Sequence, residues 1–181
     1  MSISLAPLSP EDSGLAFNWR NNPAIFKWCR QNDFLNLPNH EKWFRSQFED
    51  KSVKFYAIKL TEKKAFEDGS IFNNLISTIG VAGLTSIDLI NQRAEFSLYI
   101  GPENHGKGYG KEALKALVRH GFNILPLNII WGETYEGNPA YKMFEDVGFK
   151  KEGTRREFYC REGKFVDAHL YSIKRGELKD D

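Results

Sequence analysis

The sequence predicts an α/β fold in which helices cover both faces of a mixed sheet of about seven strands. Two observations support this fold class: strand-like and helix-like segments are interleaved along the chain, and the helix-like segments carry capping residues. Seven segments have the alternating or clustered apolar residues of strands, at 3–8, 53–61, 76–88, 92–101, 127–134, 150–161 and 164–174. With four helices placed between them, the predicted order is β-α-α-β-β-β-α-β-α-β-β. Because no repeat or linker interrupts the chain, we expect a single domain spanning residues 1–181.

Two helices follow the first strand. Ser9 suits the N-cap of the first helix and Pro10 its first helical position, and the Asn-Asn-Pro run at 21–23 ends it. The second helix is expected over 39–50. Its apolar side is formed by three aromatic residues, Trp43, Phe44 and Phe48.

The middle of the chain predicts three strands and one long connection. A charged and then Asn-rich excursion at 62–75 follows the second strand and is longer than a tight hairpin needs. The strands at 76–88 and 92–101 are joined by a short turn near 89–91, which is typical of a hairpin.

The second half of the chain predicts two more helices and a final hairpin. The helix over 109–122 has one apolar face, formed by Leu114, Leu117, Val118 and Phe122, and one basic face, formed by Lys111, Lys115 and Arg119. For the next helix, Asn138 suits the cap, Pro139 the first position and Gly148 the end. The last two strands are joined by the turn Glu-Gly-Lys at 162–164.

Composition excludes several classes of protein. Apolar residues make up 41% and charged residues 27% of the 181 residues, as in ordinary soluble domains. The 25 basic and 24 acidic residues nearly balance, which argues against a broad nucleic-acid or membrane surface. We see no membrane span and no secretory signal. Cys29 and Cys160 lie far apart and outside any metal-ligand spacing, so we expect unpaired thiols, a cytoplasmic location and no metal.

Three glycines, Gly106, Gly108 and Gly110, occupy every second position directly before a predicted helix. Glycine lets a backbone approach a ligand closely, and the free N–H groups at a helix N-terminus attract anions. We therefore expect a phosphate at this loop. A bare turn without a ligand is the alternative.

Three kinds of phosphate ligand compete for this loop. The segment 101–108 nearly matches a P-loop, but Gly108 replaces the hydroxyl that would hold magnesium. For a dinucleotide fingerprint the third glycine falls at Lys111, and the strands before the loop look like a hairpin. The pyrophosphate of coenzyme A fits better, because amides from Gly106 to Lys111 would wrap one diphosphate at the helix start.

From about Ile76 onward the chain resembles the GNAT superfamily of acyl-CoA-dependent N-acetyltransferases. The matching segments are RAEFSLYIGPENHGKGYGKEAL (93–114), NPAYKMFEDVGF (138–149), EG (152–153) and REGKFVDAHLYSI (161–173). It looks closest to the branch of ribosomal-protein N-terminal and spermidine acetyltransferases, and WRNNP (19–23) and HEKWF (40–44) are also similar to amino-sugar-nucleotide acetyltransferases. The resemblance implies a GNAT-type, mostly antiparallel sheet, an N-acetyltransferase activity and acetyl-CoA as co-substrate.

The resemblance also implies which residues bind coenzyme A. The pyrophosphate would lie on the amides of the glycine loop, and the pantetheine arm would run along the preceding strand and contact the cap of the later helix. The thioester would sit where this strand and the strand at 127–134 separate, its carbonyl polarised by a backbone N–H. The implied coenzyme A residues are Leu98, Tyr99, Ile100, His105, Gly106, Lys107, Gly108, Tyr109, Gly110, Lys111 and Asn138.

In the implied reaction an amine attacks the thioester carbonyl and a thiolate leaves. The amine must lose a proton, and a carboxylate facing the cleft can take it. By strand alternation Glu95 shares a face with Ser97 and Tyr99, which makes it our first candidate base. Its alternative is a surface glutamate paired with Arg93. Glu133 is the second candidate base.

One position departs from the family pattern. Many members carry a tyrosine, proposed to protonate the thiolate, four residues before the glycine at 148, whereas this chain has Phe144. Tyr141, one helical turn earlier, is our candidate replacement, and Tyr135 is a further possibility. The spacing from Asn138 to Gly148 is also one residue shorter than usual in the family. These two departures support a second hypothesis, a catalytically silent acyl-CoA-binding module. A third is an unrelated nucleotide-binding enzyme.

The acceptor amine is expected to bind among the first two helices, the 62–75 excursion and the last hairpin. The side chains available there include Trp19, Arg20, Trp28, His40 and Trp43. These residues do not distinguish a polyamine, an amino sugar and a protein N-terminus. A homodimer formed through the last hairpin or the excursion is left open.

Overall fold

The computed structural model describes residues 1–31, 33–62 and 75–179. The strands are β1 Ser2–Pro7, β2 Lys54–Glu62, β3 Leu75–Asp88, β4 Arg93–Ile100, β5 Ile129–Tyr135, β6 Lys150–Arg161 and β7 Lys164–Lys174. The helices are α1 Asp12–Arg20, α2 Pro23–Phe26, α3 Leu37–Ser46, α4 Tyr109–Ile124 and α5 Ala140–Val147, with a 3₁₀ turn at Pro102–Asn104. The expected 62–75 excursion lies outside the described residues, apart from its ends at Glu62 and Leu75, which belong to β2 and β3.

All seven strands form one sheet in the order β1-β2-β3-β4-β5-β7-β6. Every neighbouring pair is antiparallel except β4 and β5, which run parallel. The predicted mixed, mostly antiparallel sheet is therefore confirmed. The parallel pair arises because α4 crosses over between β4 and β5 and returns the chain in the same direction.

Strands β4 and β5 separate soon after they pair. Their register covers three residue pairs, from Arg93 opposite Ile129 to Glu95 opposite Trp131. Beyond Glu95, β4 continues to Ile100 while paired only with β3. The sheet therefore opens at its centre, next to the glycine loop that follows β4.

Helices cover both faces of the sheet, as predicted. The larger core joins inward residues of the strands to α4 and α5, and it includes Ile58, Leu117 and Phe144. On the opposite face Ala57 packs with residues of α1 and α3, including Phe44. Because Ala57 and Ile58 are adjacent in β2, they point to opposite faces and belong to different cores.

The start of the chain differs from the prediction in detail. Helix α1 begins at Asp12 rather than Pro10, and Ser9 does not cap it: Ser9 N–H and Oγ–H both donate to Asp12 Oδ2, at 2.9 and 3.0 Å. The short helix α2 was not predicted, because the Asn-Asn-Pro run that ends α1 also starts a new turn. Asn22 accepts a hydrogen bond from the N–H of Ala24.

Helix α3 begins at Leu37 and ends at Ser46, earlier than the predicted 39–50. Of the three aromatic residues predicted for its apolar side, Phe44 is buried and Trp43 is 40% exposed, while Phe48 lies beyond the end of α3 and is 59% exposed. The side of α3 that was predicted to be apolar is therefore only partly buried in the core. His40 is buried instead, and its Nε2 lies 3.0 Å from the Ser13 carbonyl oxygen.

The two helices beside the central opening follow the predicted pattern. The apolar face of α4 is buried throughout, at Leu114, Leu117, Val118 and Phe122. Lys115, which we had placed on the basic face, is also buried. Helix α5 ends at Gly148 in the left-handed region, as the sequence predicts. In the described ranges, no helix is long and apolar enough to cross a membrane.

Candidate active site

A cleft of about 1050 Å³ lies where β4 and β5 separate. Its walls are β4, β5, the glycine loop, the first turns of α4 and α5, and the segment from Ala24 to Gln31. Most of the sequence-predicted site residues line it together: Glu95, Leu98, Tyr99, Ile100, His105, Gly106, Gly108, Tyr109, Gly110, Lys111, Glu133 and Asn138. Lys107 and Tyr141 are not among the lining residues.

The open edge of β4 presents backbone groups to the cleft. The Gly101 N–H donates to the Ile79 carbonyl at 2.8 Å, so the backbone of residue 101 points toward β3. By alternation the N–H of Leu98 and the carbonyl of Ile100 point the other way, toward the opening. The Ile100 carbonyl accepts a hydrogen bond from the Nε2–H of His105 at 2.7 Å. Leu98 therefore offers its N–H at the place where the two strands part.

The glycine loop leaves its backbone amides open at the start of α4. Gly106 and Gly108 have φ angles of +74° and +79°, which side chains of L-residues rarely adopt. A Cβ built on either residue meets nothing within 4 Å, so the space in front of the loop is open. The amides of residues 106–110 donate to none of the described residues, and they surround the N-terminus of α4. This arrangement can bind a phosphate with several N–H groups.

The third glycine of the loop has a different role. Gly110 lies inside α4, and a Cβ there would meet the Sδ of Met143 at 3.1 Å. Its small size therefore lets α4 pack closely against α5. Asn138 directly precedes Pro139, the N-cap residue of α5, so the predicted cap at Asn138 is one residue too early. The Asn138 Oδ1 accepts from the N–H of Ala140 at 3.0 Å, and its Nδ2 donates to none of the described residues. That donor is available to a ligand in the cleft.

Two buried carboxylates, Glu95 and Glu133, lie on adjacent strands at the base of the opening, with side chains 5% and 3% exposed. The guanidinium of Arg30 contacts both, and its Nε is 3.4 Å from Glu133 Oε1. Glu133 is also held by Arg155, whose Nη1 is 3.2 Å from Oε2, and by the hydroxyl of Tyr159. Glu95 is therefore the less constrained of the two carboxylates.

Tyrosines surround this carboxylate pair. Burial, followed by the hydrogen bond to Glu133, raises the pKa of Tyr159 to about 12. Tyr135 is buried and lines the cleft, and its hydroxyl accepts a hydrogen bond from Nη2–H of Arg161. Burial is also the main cause that raises the pKa of Tyr135. Both phenols therefore keep their protons at neutral pH.

Phe144, which replaces the tyrosine of other family members, belongs to a buried aromatic cluster. Phe144 is 5% exposed, and its ring packs against Phe96, Phe149 and Tyr171, with centroid distances of 5.0, 6.1 and 5.6 Å. Tyr141 is 37% exposed and stays a prediction as a proton donor.

The side chains expected to hold the acceptor divide into three groups. Arg20 and Trp28 line the cleft. Trp19 is buried, and its indole Nε1–H donates to Glu103 Oε1 at 3.1 Å. His40 is buried under α1, and desolvation lowers its pKa. Trp43 lies on the outer side of α3 and does not line the cleft.

Sequence reasoning missed Arg30, Arg155 and Tyr159. Arg30 follows α2 in a segment without periodicity, and its two carboxylate partners lie more than 60 residues later in the chain. Arg155 and Tyr159 belong to β6, where a register shift between them disrupts regular pairing with β7. The one feature of the sequence that could have indicated them is their four-residue spacing, which in a regular strand places both side chains on the same face. The described residues contain no cluster of three or more metal-ligating side chains.

A parallel strand pair that separates, a glycine loop with open amides at a helix start and two buried carboxylates together agree with the acyl-CoA-dependent transferase predicted from the sequence. Residues 2–150 match the family model described as the acetyltransferase (GNAT) domain. The chain belongs to the GNAT acetyltransferase family, as its sequence indicated, and it is an N-acetyltransferase that moves an acetyl group from acetyl-CoA to a primary amine.

Similar proteins cover nearly the whole chain. A putative ribosomal N-acetyltransferase of Bacillus subtilis is 30% identical over 99% of this chain and 94% of its own length. A spermidine N(1)-acetyltransferase of Vibrio cholerae is 24% identical over 91% and 88%. The crystal structure of spermidine N-acetyltransferase from Vibrio cholerae, in complex with CoA and spermine, has a TM-score of 0.82. It covers 97% of both chains at 22% identity, so this likeness supports the fold.

Proposed function

We propose that this protein acetylates a primary amine of a small molecule by direct attack in a ternary complex, with Glu95 as the general base. The observation that carries the proposal is the position of Glu95, a buried carboxylate at the last residue pair before β4 and β5 separate. An amine bound there would have its proton acceptor on one side and the thioester, lying along β4, on the other.

Glu133 supports the reaction in a different way in this proposal. Each of its carboxylate oxygens already accepts from another side chain: Oε1 from Tyr159 and Oε2 from Arg155. Glu95 contacts Arg30 alone among the described side chains. We therefore assign proton transfer to Glu95. Glu133 instead holds the side chains of Arg30 and Tyr159 in position. For the amine to reach Glu95, the half-exposed Arg30 side chain must move away from it.

The residues that face the opening fit acetyl-CoA. The amides of residues 106–110 would hold its pyrophosphate, and the amide Nδ2 of Asn138 would donate to a carbonyl of the pantetheine arm. The Leu98 N–H would polarise the thioester carbonyl and stabilise the oxyanion as it forms. Lys107, Tyr109 and Lys111 would add contacts at the edge of the phosphate site.

Tyr135 is the better placed proton donor for the leaving thiolate. It lines the cleft, it is protonated at neutral pH, and Arg161 fixes its hydroxyl. Tyr141, our first candidate, is outside the lining. The thiol of coenzyme A is acidic enough for its thiolate to leave without full protonation, so this step contributes less than positioning and base catalysis.

The charges of the cleft bear on the choice of acceptor. Spermidine acetyltransferases are among the relatives, and a polyamine carries a positive charge on each amine that does not react. Such a substrate needs several unneutralised carboxylates. Among the described residues, the cleft offers only Glu95 and Glu133, and arginines contact both. These contacts favour a small amine without additional ammonium groups.

We further propose that the chain acts as one domain in the cytoplasm. The single seven-stranded sheet and the core that joins it to α4 and α5 support one domain. Neither Cys29 nor Cys160 is in a disulfide, which suits a reducing compartment.

The experiment compares Glu95→Gln with Glu133→Gln in a free-thiol assay with acetyl-CoA and a panel of amines. We expect Glu95→Gln to lower kcat by roughly 10²–10⁴-fold, as for loss of a general base, with an unchanged affinity for acetyl-CoA. Glu133→Gln should lower kcat less. Equal activity of wild type and Glu95→Gln would contradict the proposed base, and acetyl-CoA binding without turnover of any amine would contradict the proposed reaction.

A further inference from the structure

The guanidinium of Arg20 has no ion-pair partner among the described residues. It lies on the side of the cleft expected to hold the acceptor, which we call the acceptor wall. Arg20 is the last residue of α1, and it lines the cleft with its side chain half-buried. Its Nη2 donates to Gln31 Oε1 at 3.2 Å, while its Nε is buried and donates to none of the described residues. No carboxylate among these residues pairs with Arg20 within 4.0 Å. A charge withdrawn from water in this way is costly unless an anion compensates it.

A second polar group without a partner lies beside Arg20. The guanidinium carbon of Arg20 is 5.9 Å from the centroid of the Tyr99 ring, and the Tyr99 hydroxyl is buried without a hydrogen-bond partner among the described residues. Burial raises the pKa of Tyr99, so the phenol is a donor. Arg20 and Tyr99 therefore offer donors, and a buried donor without an acceptor costs free energy.

The position of this pair separates it from the coenzyme A contacts. Tyr99 packs with the α1 and α3 core, whereas Leu98 packs with the core beneath α4 and α5, which carry the phosphate loop and Asn138. Tyr99 thus shares the face of β4 with Glu95. Four residues of strand place them roughly 13 Å apart. A molecule of sugar or short-peptide size spans that distance.

We infer that the acceptor carries, in addition to its reacting amine, an anionic phosphate or carboxylate group that binds Arg20 and Tyr99. This inference rests on the proposed function, since it assumes that the amine binds at Glu95. A guanidinium and a phenol are suited to such oxyanions, which accept several charge-assisted hydrogen bonds in one plane.

The test uses matched pairs of amines with the enzyme saturated in acetyl-CoA, so that the glycine loop is occupied. Glucosamine 6-phosphate is compared with glucosamine, and triglycine with its C-terminal amide; spermidine is the cationic reference. We expect kcat/KM to be at least about tenfold higher for the anionic member of one pair. The phosphate and carboxylate arms show which oxyanion is preferred. Arg20→Met should bring that ratio close to one, and Tyr99→Phe should reduce it in part.

Arg45→Met is the matched control, because Arg45 is an exposed arginine of α3 outside the cleft. It should keep the wild-type ratio, and Arg20→Met and Arg45→Met should both keep the thermal stabilisation by acetyl-CoA. Calorimetric titration of each amine into enzyme saturated with coenzyme A gives a readout that does not depend on turnover. Equal binding and equal kcat/KM within both pairs, an unchanged ratio in Arg20→Met, or a preference for spermidine would overturn the inference. The Glu95→Gln experiment tests the general base and does not depend on the preference for an anionic acceptor. The proposed base and the proposed anion site can therefore fail independently.

Discussion

Replacing Gly108 by alanine tests whether the loop holds a diphosphate. The residue has a φ of +79°, and a Cβ there meets no atom of the protein within 4 Å. The folded protein therefore pays only for the left-handed backbone, roughly 1–2 kcal/mol for an L-residue. For a chain of this length that corresponds to a fall in Tm of roughly 2–8 °C.

The effect on coenzyme A should be larger and of different origin. Because Gly108 lines the cleft, we expect a methyl group there to hold the phosphate away from the loop amides. Loss of one hydrogen bond to a charged group costs roughly 1.5–3 kcal/mol, which is about a 10- to 150-fold rise in Kd. Isothermal titration with coenzyme A measures this change directly.

Gly163→Ala is the matched control for Gly108→Ala. Gly163 lies in the turn between β6 and β7, with a φ of +77° and nothing within 4 Å of a built Cβ, and it does not line the cleft. Its backbone cost should be the same as that of Gly108→Ala, while its affinity for coenzyme A should stay at the wild-type value. If both variants lose the same stability and both keep full affinity, the loop does not bind the pyrophosphate as described.

Three further outcomes follow from the contacts. In the free-thiol assay, Tyr135→Phe should lower kcat several-fold with an unchanged KM for acetyl-CoA. Tyr141→Phe should leave kcat unchanged. The reverse result would make Tyr141 the proton donor. Phe144→Ala should cost roughly 3–5 kcal/mol in urea unfolding, because it empties a buried aromatic cluster. Burial opposes ionisation of Asp12, but hydrogen bonds from Ser9, Thr78 and Lys59 lower its pKa below 3.8. The ionised Asp12 carboxylate therefore stabilises the folded protein above pH 3.8, and this stabilisation is lost as the pH falls through the lower pKa of the folded state. The difference in unfolding free energy between wild type and Asp12→Asn should accordingly narrow below about pH 4. A difference that stays constant down to about pH 2 would contradict this.

Much of the fold could be predicted because it depends on local pattern. Strand alternation placed the seven strands within about two residues, and it put Glu95 on the same face as Tyr99. The glycines of the loop could also be predicted, since a positive φ favours glycine. The start of α5 was predicted one residue too early, with the cap at Asn138 instead of Pro139.

The remaining features depend on contacts that no local pattern encodes. The four-residue helix α2 is too short for a periodic signal. The contact between Arg30, which follows α2, and Glu95 of β4 joins residues far apart in the sequence. Likewise, the absence of a carboxylate beside Arg20 among the described residues is a property of the assembled cleft. Such tertiary contacts decide what the acceptor wall can bind.

The narrow contact between β4 and β5 has a mechanical consequence. The sheet consists of two well-paired blocks, β1–β4 and β5-β7-β6, and only three residue pairs join them along the seam. The peptide groups along the free edge of β4 would find hydrogen-bond partners if a pantetheine arm lay in the gap, as proposed above. Bound coenzyme A would thus connect the two blocks and restrict their separation. Amide hydrogen exchange along the β4–β5 seam should therefore slow on binding far more than exchange within either block.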